Sequence, residues 1–210
     1  MNSGAKPSTR DRILRAALDI FLAKGKEGAR MQEIADRAGV NKAMLFYYYT
    51  NKDSLYAEVL RANMTEIISN IMSIIISEGD SENKIERIVQ AYLTFFRSHP
   101  DLPKLVLREI ANDGGELKSI VREIKETTGE NIPQRFISLI EQSVAQQHFH
   151  DIDAKQTIIS IVGMCIIYFI GKPFLEILLE LEFTDEEDFI EQRMDNVIFI
   201  LKNGLLRKSK

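Results

Sequence analysis

The spacing of the apolar residues is the feature that most constrains the fold of this chain. Apolar side chains recur three or four residues apart along nearly the whole sequence, which is the period of amphipathic α-helices. No segment of useful length alternates between apolar and polar residues as a half-buried β-strand does. The sequence therefore predicts an all-α fold. The first expected helix begins at residue 9 and is ended by Gly25 and Gly28. The further expected helices are 31–37, 41–49, 53–77, 83–98, 101–112, 116–128, 132–148, 154–182 and 185–206.

The composition excludes several classes of protein. Of the 210 residues, 45% are hydrophobic and 28% are charged, so the chain can bury a core and is not disordered, collagen-like or mucin-like. The single cysteine, Cys165, cannot form an internal disulfide, and we expect it to be a buried inert thiol in a cytoplasmic protein. The N-terminus lacks an apolar signal core. The longest apolar stretch, 158–170, is shorter than a bilayer span, so we expect a buried helix and no membrane partner.

The net charge of −4 conceals an asymmetry along the chain. Residues 1–52 contain ten Lys or Arg against five Asp or Glu, a net charge of +5, whereas the rest contains 17 against 26, a net charge of −9. A basic head on an acidic body favours an anionic partner for the head alone, commonly nucleic acid.

Residues 31–49 have the pattern of a helix-turn-helix. Ile34, Ala35 and Ala38 give the first helix an apolar inner side, and the small side chain of Ala35 lets the second helix cross closely. Gly39 permits the left-handed backbone that the tight turn needs. The pattern therefore predicts two short helices that pack against each other across a sharp turn.

The second helix of this pair has an exposed first turn. Asn41 is a favourable N-cap, and the turn that follows it comprises Lys42, Ala43 and Met44. The N-terminal residues of a recognition helix are the ones that meet base edges in the major groove of DNA. This segment is therefore a candidate recognition helix.

The motif resembles the TetR family of bacterial transcriptional regulators. The family pattern is present as Ile34-Ala35-Asp36-Arg37-Ala38-Gly39-Val40, followed by the aromatic run Leu45-Phe46-Tyr47-Tyr48-Tyr49 and by Lys52 at the start of the next helix. The resemblance covers residues 9–57, about a quarter of the chain. It implies a flexible arm at 1–8, a three-helix helix-turn-helix DNA-binding domain at 9–55, and a larger helical effector-binding and dimerisation domain at 56–210.

The resemblance also implies roles for individual residues. Gln32, Lys42 and Ala43 are expected to contact bases or the groove, because Gln pairs with adenine, Lys donates to guanine and an Ala methyl touches thymine. Tyrosine hydroxyls bond phosphate oxygens, while Leu45 and Tyr49 are expected in the core. We expect the full set of DNA-binding residues to comprise Arg30, Gln32, Asn41, Lys42, Ala43, Met44, Tyr47, Tyr48 and Lys52.

The body is predicted to bind a second copy of the chain. Two-fold symmetry places two recognition helices about one DNA turn apart, which favours a homodimer. The most apolar helices, 154–182, with an interruption near Pro173, and 185–206, are the predicted interface, and an internal core is the alternative. The acidic run 185–188 lies at a helix N-terminus, where negative charge is stabilising.

The resemblance further implies a small-molecule pocket in the body. The candidate residues combine apolar walls with a few polar tips, although the same composition suits an ordinary core. They are Tyr92, Phe95, Phe96, Arg108, Phe136, Met164, Cys165 and Tyr168.

No enzyme motif is present in the sequence. There is no glycine-rich phosphate loop or nucleophile elbow, and His148 and His150 lack further ligands for a metal. We expect no catalysis, no metal and no cofactor beyond an unidentified small-molecule effector. The leading interpretation is a repressor that binds a palindromic double-stranded DNA operator as a homodimer and is released by a ligand. The alternatives are an architectural factor or activator without a ligand switch, and a helical enzyme or carrier with a vestigial DNA-binding head.

Overall fold

The computed structural model describes residues 7–129, 131–180 and 186–207. These residues form ten α-helices and no strand beyond the isolated bridge between Phe149 and Leu206, which confirms the predicted all-α fold. The helices are α1 (Thr9–Gly28), α2 (Met31–Ala38), α3 (Lys42–Tyr48), α4 (Lys52–Ile76), α5 (Ser81–Ser98), α6 (Leu102–Ala111), α7 (Gly115–Thr128), α8 (Ile132–Ala145), α9 (Ala154–Leu178) and α10 (Glu186–Leu205).

The helix ends differ from the expected ones at several places, and α9 ends at Leu178 rather than at residue 182. Gly25 does not end α1 but kinks it, because its φ of 71° and ψ of 171° are not helical. Helix α8 ends at Ala145, three residues early, and Gln147 follows in a left-handed conformation. Helix α9 continues through Pro173, where an interruption was expected. Residues 1–6, 181 and 182 and Asp185 of the predicted arm and interface lie outside the described residues.

The described chain divides into two compact units. Unit 1 holds the residues up to 64 together with 104–120, and unit 2 holds 65–103 together with the residues from 121 onward. In unit 1, α2 packs on α1 and α3 packs on α2. In unit 2, α5 packs against α9 and α10, and α8 packs against α9. The domain boundary expected from the sequence was at residue 55. It did not predict that residues 104–120 belong to unit 1.

Helix α6 is tied to the first helices of unit 1 by two adjacent side chains. The Arg108 guanidinium donates to the carbonyl oxygens of Phe21 and Leu22 at 3.2 and 2.6 Å. The Glu109 carboxylate is buried, and it accepts hydrogen bonds from the Tyr56 hydroxyl at 3.2 Å and from the backbone N–H of Glu116 at 2.9 Å. A buried charge without hydrogen-bond partners is energetically costly, so these two bonds are needed to stabilise the Glu109 carboxylate inside unit 1.

The Tyr56 side chain links this polar cluster to the core of unit 1. Its ring meets the ring of Phe21 edge to face, with centroids 5.0 Å apart. Burial, together with the neighbouring Glu109 carboxylate, raises the pKa of the Tyr56 hydroxyl above that of a free tyrosine. The hydroxyl therefore stays protonated and remains a hydrogen-bond donor to Glu109.

The substitution Tyr56→Phe tests the importance of this hydrogen bond. It removes one donor from a buried carboxylate, and we expect the free energy of unfolding to fall by about 1.5 to 3 kcal/mol in a urea titration. Tyr47→Phe is the matched control, since the Tyr47 side chain is 86% exposed, and its loss should stay within about 0.5 kcal/mol. Equal stabilities for the two variants would contradict this role of Tyr56.

Candidate functional site

Helix α3 is positioned by the turn before it and by one buried side chain. Gly39 adopts a left-handed φ of 65°, and the Val40 N–H donates to the Ala35 carbonyl at 3.0 Å, which closes the turn after α2. The Asn41 side chain accepts a hydrogen bond from the Met44 N–H at 2.7 Å and caps α3. Leu45 is fully buried. The cap and Leu45 together fix which side of α3 faces outward.

The outward side of α3 presents a mixed basic and aromatic surface. Lys42, Ala43, Met44, Tyr47 and Tyr48 are all exposed, and Tyr47 is the most exposed of the aromatic residues on this helix. The rings of Tyr47 and Tyr48 meet edge to face at 5.7 Å. Adjacent exposed aromatic side chains are typical of a binding surface. We define this set of five residues as the α3 surface.

The aromatic run is divided between the α3 surface and the core. Tyr49 is buried, as expected, whereas Phe46 is exposed, and the centroid of its ring lies 5.9 Å from the ammonium of Lys42, within the range of a cation–π contact. Phe46 therefore supports the position of the Lys42 side chain rather than filling the core.

The basic residues of the head fall into two groups in the structure. Four of them make ion pairs with carboxylates, and so contribute less to the field outside the protein. By contrast, four others are exposed and make no ion pair with any described residue, namely Arg12 and Arg15 on α1, Arg30 at the start of α2 and Lys42 at the start of α3. The four pairs are Arg10 with Glu58, Lys24 with Glu33, Lys26 with Asp53, and Arg37 with Asp19.

Two further predicted contact residues have partners within the chain. The Gln32 amide nitrogen donates to the Asp36 carboxylate at 2.8 Å, so Gln32 must exchange this partner to reach a base. The Lys52 ammonium donates to the Glu27 carbonyl at 3.0 Å, near the end of α1. An ammonium has three donors, so Lys52 retains two for a phosphate.

Unit 2 contains a cavity with a volume of about 320 Å³. Two of the predicted pocket residues, Tyr92 and Phe136, line it. The sequence did not single out the others, because their apolar spacing is the same as that of ordinary core residues. The remaining lining residues are Ile68, Ile71, Val121, Ile124, Lys125, Asn131, Pro133, Ile137, Lys155, Ile158 and Ile159.

The other predicted pocket residues of unit 2 lie outside this lining. Phe95 and Phe96 are buried with their rings 5.6 Å apart. Tyr168 is buried and donates to the Glu186 carboxylate at 3.2 Å, while the carbonyl of Met164 accepts from Arg193 at 2.8 Å. Burial raises the pKa of the Cys165 thiol to about 12, so it is protonated and unreactive at neutral pH. Phe95, Phe96, Cys165 and Tyr168 belong to the core, and Met164 is half-buried.

The structure corrects the prediction that Arg108 lines the pocket. Arg108 lies in unit 1, where its hydrogen bonds to Phe21 and Leu22 hold α6 against α1. The periodicity of α6 could not reveal this contact, because it joins residues more than eighty positions apart.

Helix α9 has two apolar sides, only one of which is buried. The other side is exposed in the single chain. Helix α10 likewise exposes Phe199 and Ile200. On α9 the buried residues include Ile161, Cys165, Tyr168 and Phe169, and the exposed ones include Ile159, Ile167, Phe174, Ile177 and Leu178.

By length and composition alone, α4 and α9 could each cross a membrane. Core helices of soluble proteins meet the same criterion, so this is a weak indication. Within the described residues, no group of three or more His, Cys, Asp or Glu side chains is arranged to hold a metal ion.

Two family models match the chain. The model of the bacterial regulatory proteins of the tetR family matches residues 13–59, which include the helix-turn-helix. The model of the tetracyclin repressor-like C-terminal domain matches residues 82–198. Together they extend the resemblance seen in the helix-turn-helix to both parts of the chain.

Individual proteins are similar to this chain to different extents. The transcriptional activator FasR of Mycolicibacterium smegmatis is 33% identical over 86 residues, which are 41% of this chain and 39% of FasR. The transcriptional repressor NicS of Pseudomonas putida is 23% identical over 180 residues, 85% of this chain and 84% of NicS. The structure of AibR, solved in complex with isovaleryl coenzyme A and operator DNA, is 18% identical with a TM-score of 0.70, covering 92% of this chain and 97% of AibR.

These comparisons agree with the geometry of the helix-turn-helix and with the helical fold of the body. The C-terminal model alone covers more than half of the 210 residues, and the N-terminal model covers the capped, outward-facing α3. The chain belongs to the TetR family of bacterial regulatory proteins.

Proposed function

We propose that this protein is a ligand-responsive transcriptional repressor that binds a palindromic operator as a homodimer. The observation that carries the proposal is the α3 surface, a capped helix whose first turn is exposed and carries a lysine without an ion pair among the described residues. A helix of seven residues spans about 10 Å at 1.5 Å per residue, which suits the major groove of B-DNA.

The side chains of the α3 surface suit both base and backbone contacts. Lys42 can donate to guanine, and the Ala43 methyl can touch the methyl of thymine. Tyr47 and Tyr48 present hydroxyls that can bond phosphate oxygens. Arg30 adds a positive charge at the start of α2, and Lys52 adds another at the start of α4. Specificity would thus arise from the first turn of α3, and position on the duplex from the residues around it.

The apolar outer sides of α9 and α10 support the homodimer. Ile167 and Phe174 on α9 and Phe199 on α10 are large apolar side chains that the described chain leaves exposed. Large exposed apolar side chains of this kind are typical of protein interfaces. One α3 reads only a few base pairs, and a two-fold partner doubles the recognised sequence. A second copy of the chain therefore meets both the apolar surface and the need for specificity.

Release by a ligand would operate through the helices that belong to both units. Helices α4 and α6 each have residues in unit 1 and in unit 2. Within unit 1, Arg108 and Glu109 of α6 are bonded to α1 and α4. A ligand that prefers one arrangement of these helices shifts the population toward it and away from the DNA-binding arrangement.

The choice of repressor over activator rests on the relatives. NicS, a named repressor, aligns over 84% of its own length, whereas FasR, a named activator, aligns over 39% of its length. An architectural factor without a ligand switch would show no stabilised hits in a thermal-shift screen of metabolites, and an enzyme or carrier with a vestigial head would bind no specific DNA.

Substitutions in the α3 surface test the DNA interface. With an operator recovered from a random duplex pool, Lys42→Ala and Tyr47→Ala should each weaken binding about 10-fold or more in fluorescence anisotropy, since each lost contact is worth about 1 to 3 kcal/mol. Lys118→Ala is the control, because it removes an exposed lysine of α7 and should lower affinity less than about 3-fold. Wild-type affinity in both α3 variants would contradict the interface.

A charge placed on the outer apolar side tests the dimer. Ile167→Glu combined with Phe199→Glu should give a monomer in sedimentation velocity at micromolar concentration, because the interface would have to bury two carboxylates. Ile110→Glu, at an exposed apolar position on α6, should leave the dimer intact. A monomeric wild-type protein, or a double variant that still dimerises, would refute this interface.

A further inference from the structure

We propose that the cavity in unit 2 binds a small amphipathic anion, with Lys125 and Lys155 holding the anionic group and the apolar walls holding the chain. The inference rests on the proposed function and names the chemical class of its effector. It is carried by the composition of the cavity lining, by the absence of carboxylates from that lining, and by donors that the described protein leaves without partners.

The walls of the cavity are almost entirely aliphatic. Ile68 and Ile71 come from α4, Phe136 and Ile137 from α8, and Ile158 from α9. A volume of about 320 Å³ is at the small end of the range for ligand pockets, about 300 to 1,000 Å³. An apolar chain of moderate length therefore fits these walls better than a large polycyclic molecule.

The charged side chains of the lining are all positive. Of the thirteen lining residues, four have polar side chains, namely Tyr92, Lys125, Asn131 and Lys155, and none is a carboxylate. Both lysines are exposed, which puts them at the mouth of the cavity, and neither makes an ion pair with a described residue. Two positive charges beside apolar walls attract an anion and repel a cation.

The two lysines and the asparagine lie at three different helix ends. Lys125 is in the last turn of α7, Asn131 is the N-cap of α8, and Lys155 is in the first turn of α9. The nearby Asp153 carboxylate caps α9 by accepting from the Gln156 N–H at 2.8 Å, and it makes no ion pair with Lys155. The mouth thus combines two ammonium groups with the N-terminus of α8, whose cap is uncharged and where backbone dipoles also favour negative charge.

Two neutral donors complete the lining. The Asn131 side-chain oxygen accepts from the Gln134 N–H at 3.3 Å, and its amide nitrogen has no partner among the described residues. The Tyr92 hydroxyl makes no hydrogen bond with any described residue. Burial raises its pKa, so it remains a neutral donor. A ligand with oxygen acceptors would satisfy both groups.

The ligand class is tested by calorimetric titration of the full chain without DNA, using octanoate, octan-1-ol, octylamine and octanoyl-coenzyme A. We expect an anion to bind at least about 10-fold more tightly than the alcohol, which corresponds to about 1.4 kcal/mol, and the amine to bind most weakly. Binding of octanoate assigns the anionic group to a carboxylate, and binding of octanoyl-coenzyme A alone assigns it to the phosphates of a thioester carrier.

Substitutions locate the anion. Lys125→Met and Lys155→Met retain most of the aliphatic stem, and each should weaken the anion about 5-fold or more while leaving the affinity for octan-1-ol unchanged. Arg122→Met is the matched control, since it removes an exposed positive charge from α7 at a position that does not line the cavity, and should change neither affinity. Circular dichroism confirms that all three variants are folded.

The proposal is overturned if no compound binds, if the alcohol or amine binds as tightly as the anions, or if both lysine variants keep the wild-type affinity for the anion. Because these titrations contain no DNA, they are independent of operator binding. Adding the bound anion to the protein–operator complex then tests release separately. Binding without release would leave the ligand class standing and refute the ligand-released repressor.

Discussion

The burial of Leu45 is the interaction on which the candidate DNA interface depends. Helix α3 has only seven residues, and an isolated helix of that length is not stable in water. Its conformation therefore comes from the core of unit 1, in which Leu45 is fully buried, and from the Asn41 cap. Because the side of α3 that carries Leu45 faces inward, the side that carries Lys42 and Tyr47 faces solvent. The orientation of the α3 surface is thus a consequence of core packing.

The electrostatics of the head depend on which charges are paired, as well as on their number. The head carries a net charge of +5, yet four of its basic residues are matched to carboxylates. Such pairs contribute little to stability at an exposed surface, but they offset positive charge on α1 and at the end of α2. The charge that remains unpaired in the described residues includes Arg30 and Lys42, at the starts of α2 and α3. The helix-turn-helix therefore keeps unpaired positive charge at the start of each of its two helices.

The sequence was sufficient to predict the all-α fold and the helix-turn-helix, because both are encoded locally. Gly39, Asn41 and the spacing of Ile34, Ala35 and Ala38 each specify a feature within a few residues of themselves. The cavity was predicted only in part. Tyr92 and Phe136 line it, but Cys165 fills the core, because helical periodicity shows which side is buried without showing what lies opposite.

Contacts between residues far apart in the chain could not be predicted from the sequence. Arg108 was expected in a pocket, but its guanidinium holds the carbonyls of Phe21 and Leu22 instead. Similarly, the apolar residues of α9 were predicted to form an interface, with an internal core as the alternative, and Ile167 and Phe174 are exposed in the single chain. The helical spacing of apolar residues does not distinguish an internal core from an interface, since both bury the same kind of surface.

The central claim is that two copies of α3, related by two-fold symmetry, read one palindromic operator. Hydroxyl-radical footprinting of the bound operator tests it most directly, because it records the protected backbone at single-nucleotide resolution. We expect two protected half-sites whose centres are about one helical turn, or about 10 base pairs, or a multiple of that distance apart. A single protected half-site, or uniform protection without sequence preference, would contradict recognition by a symmetric pair of helices.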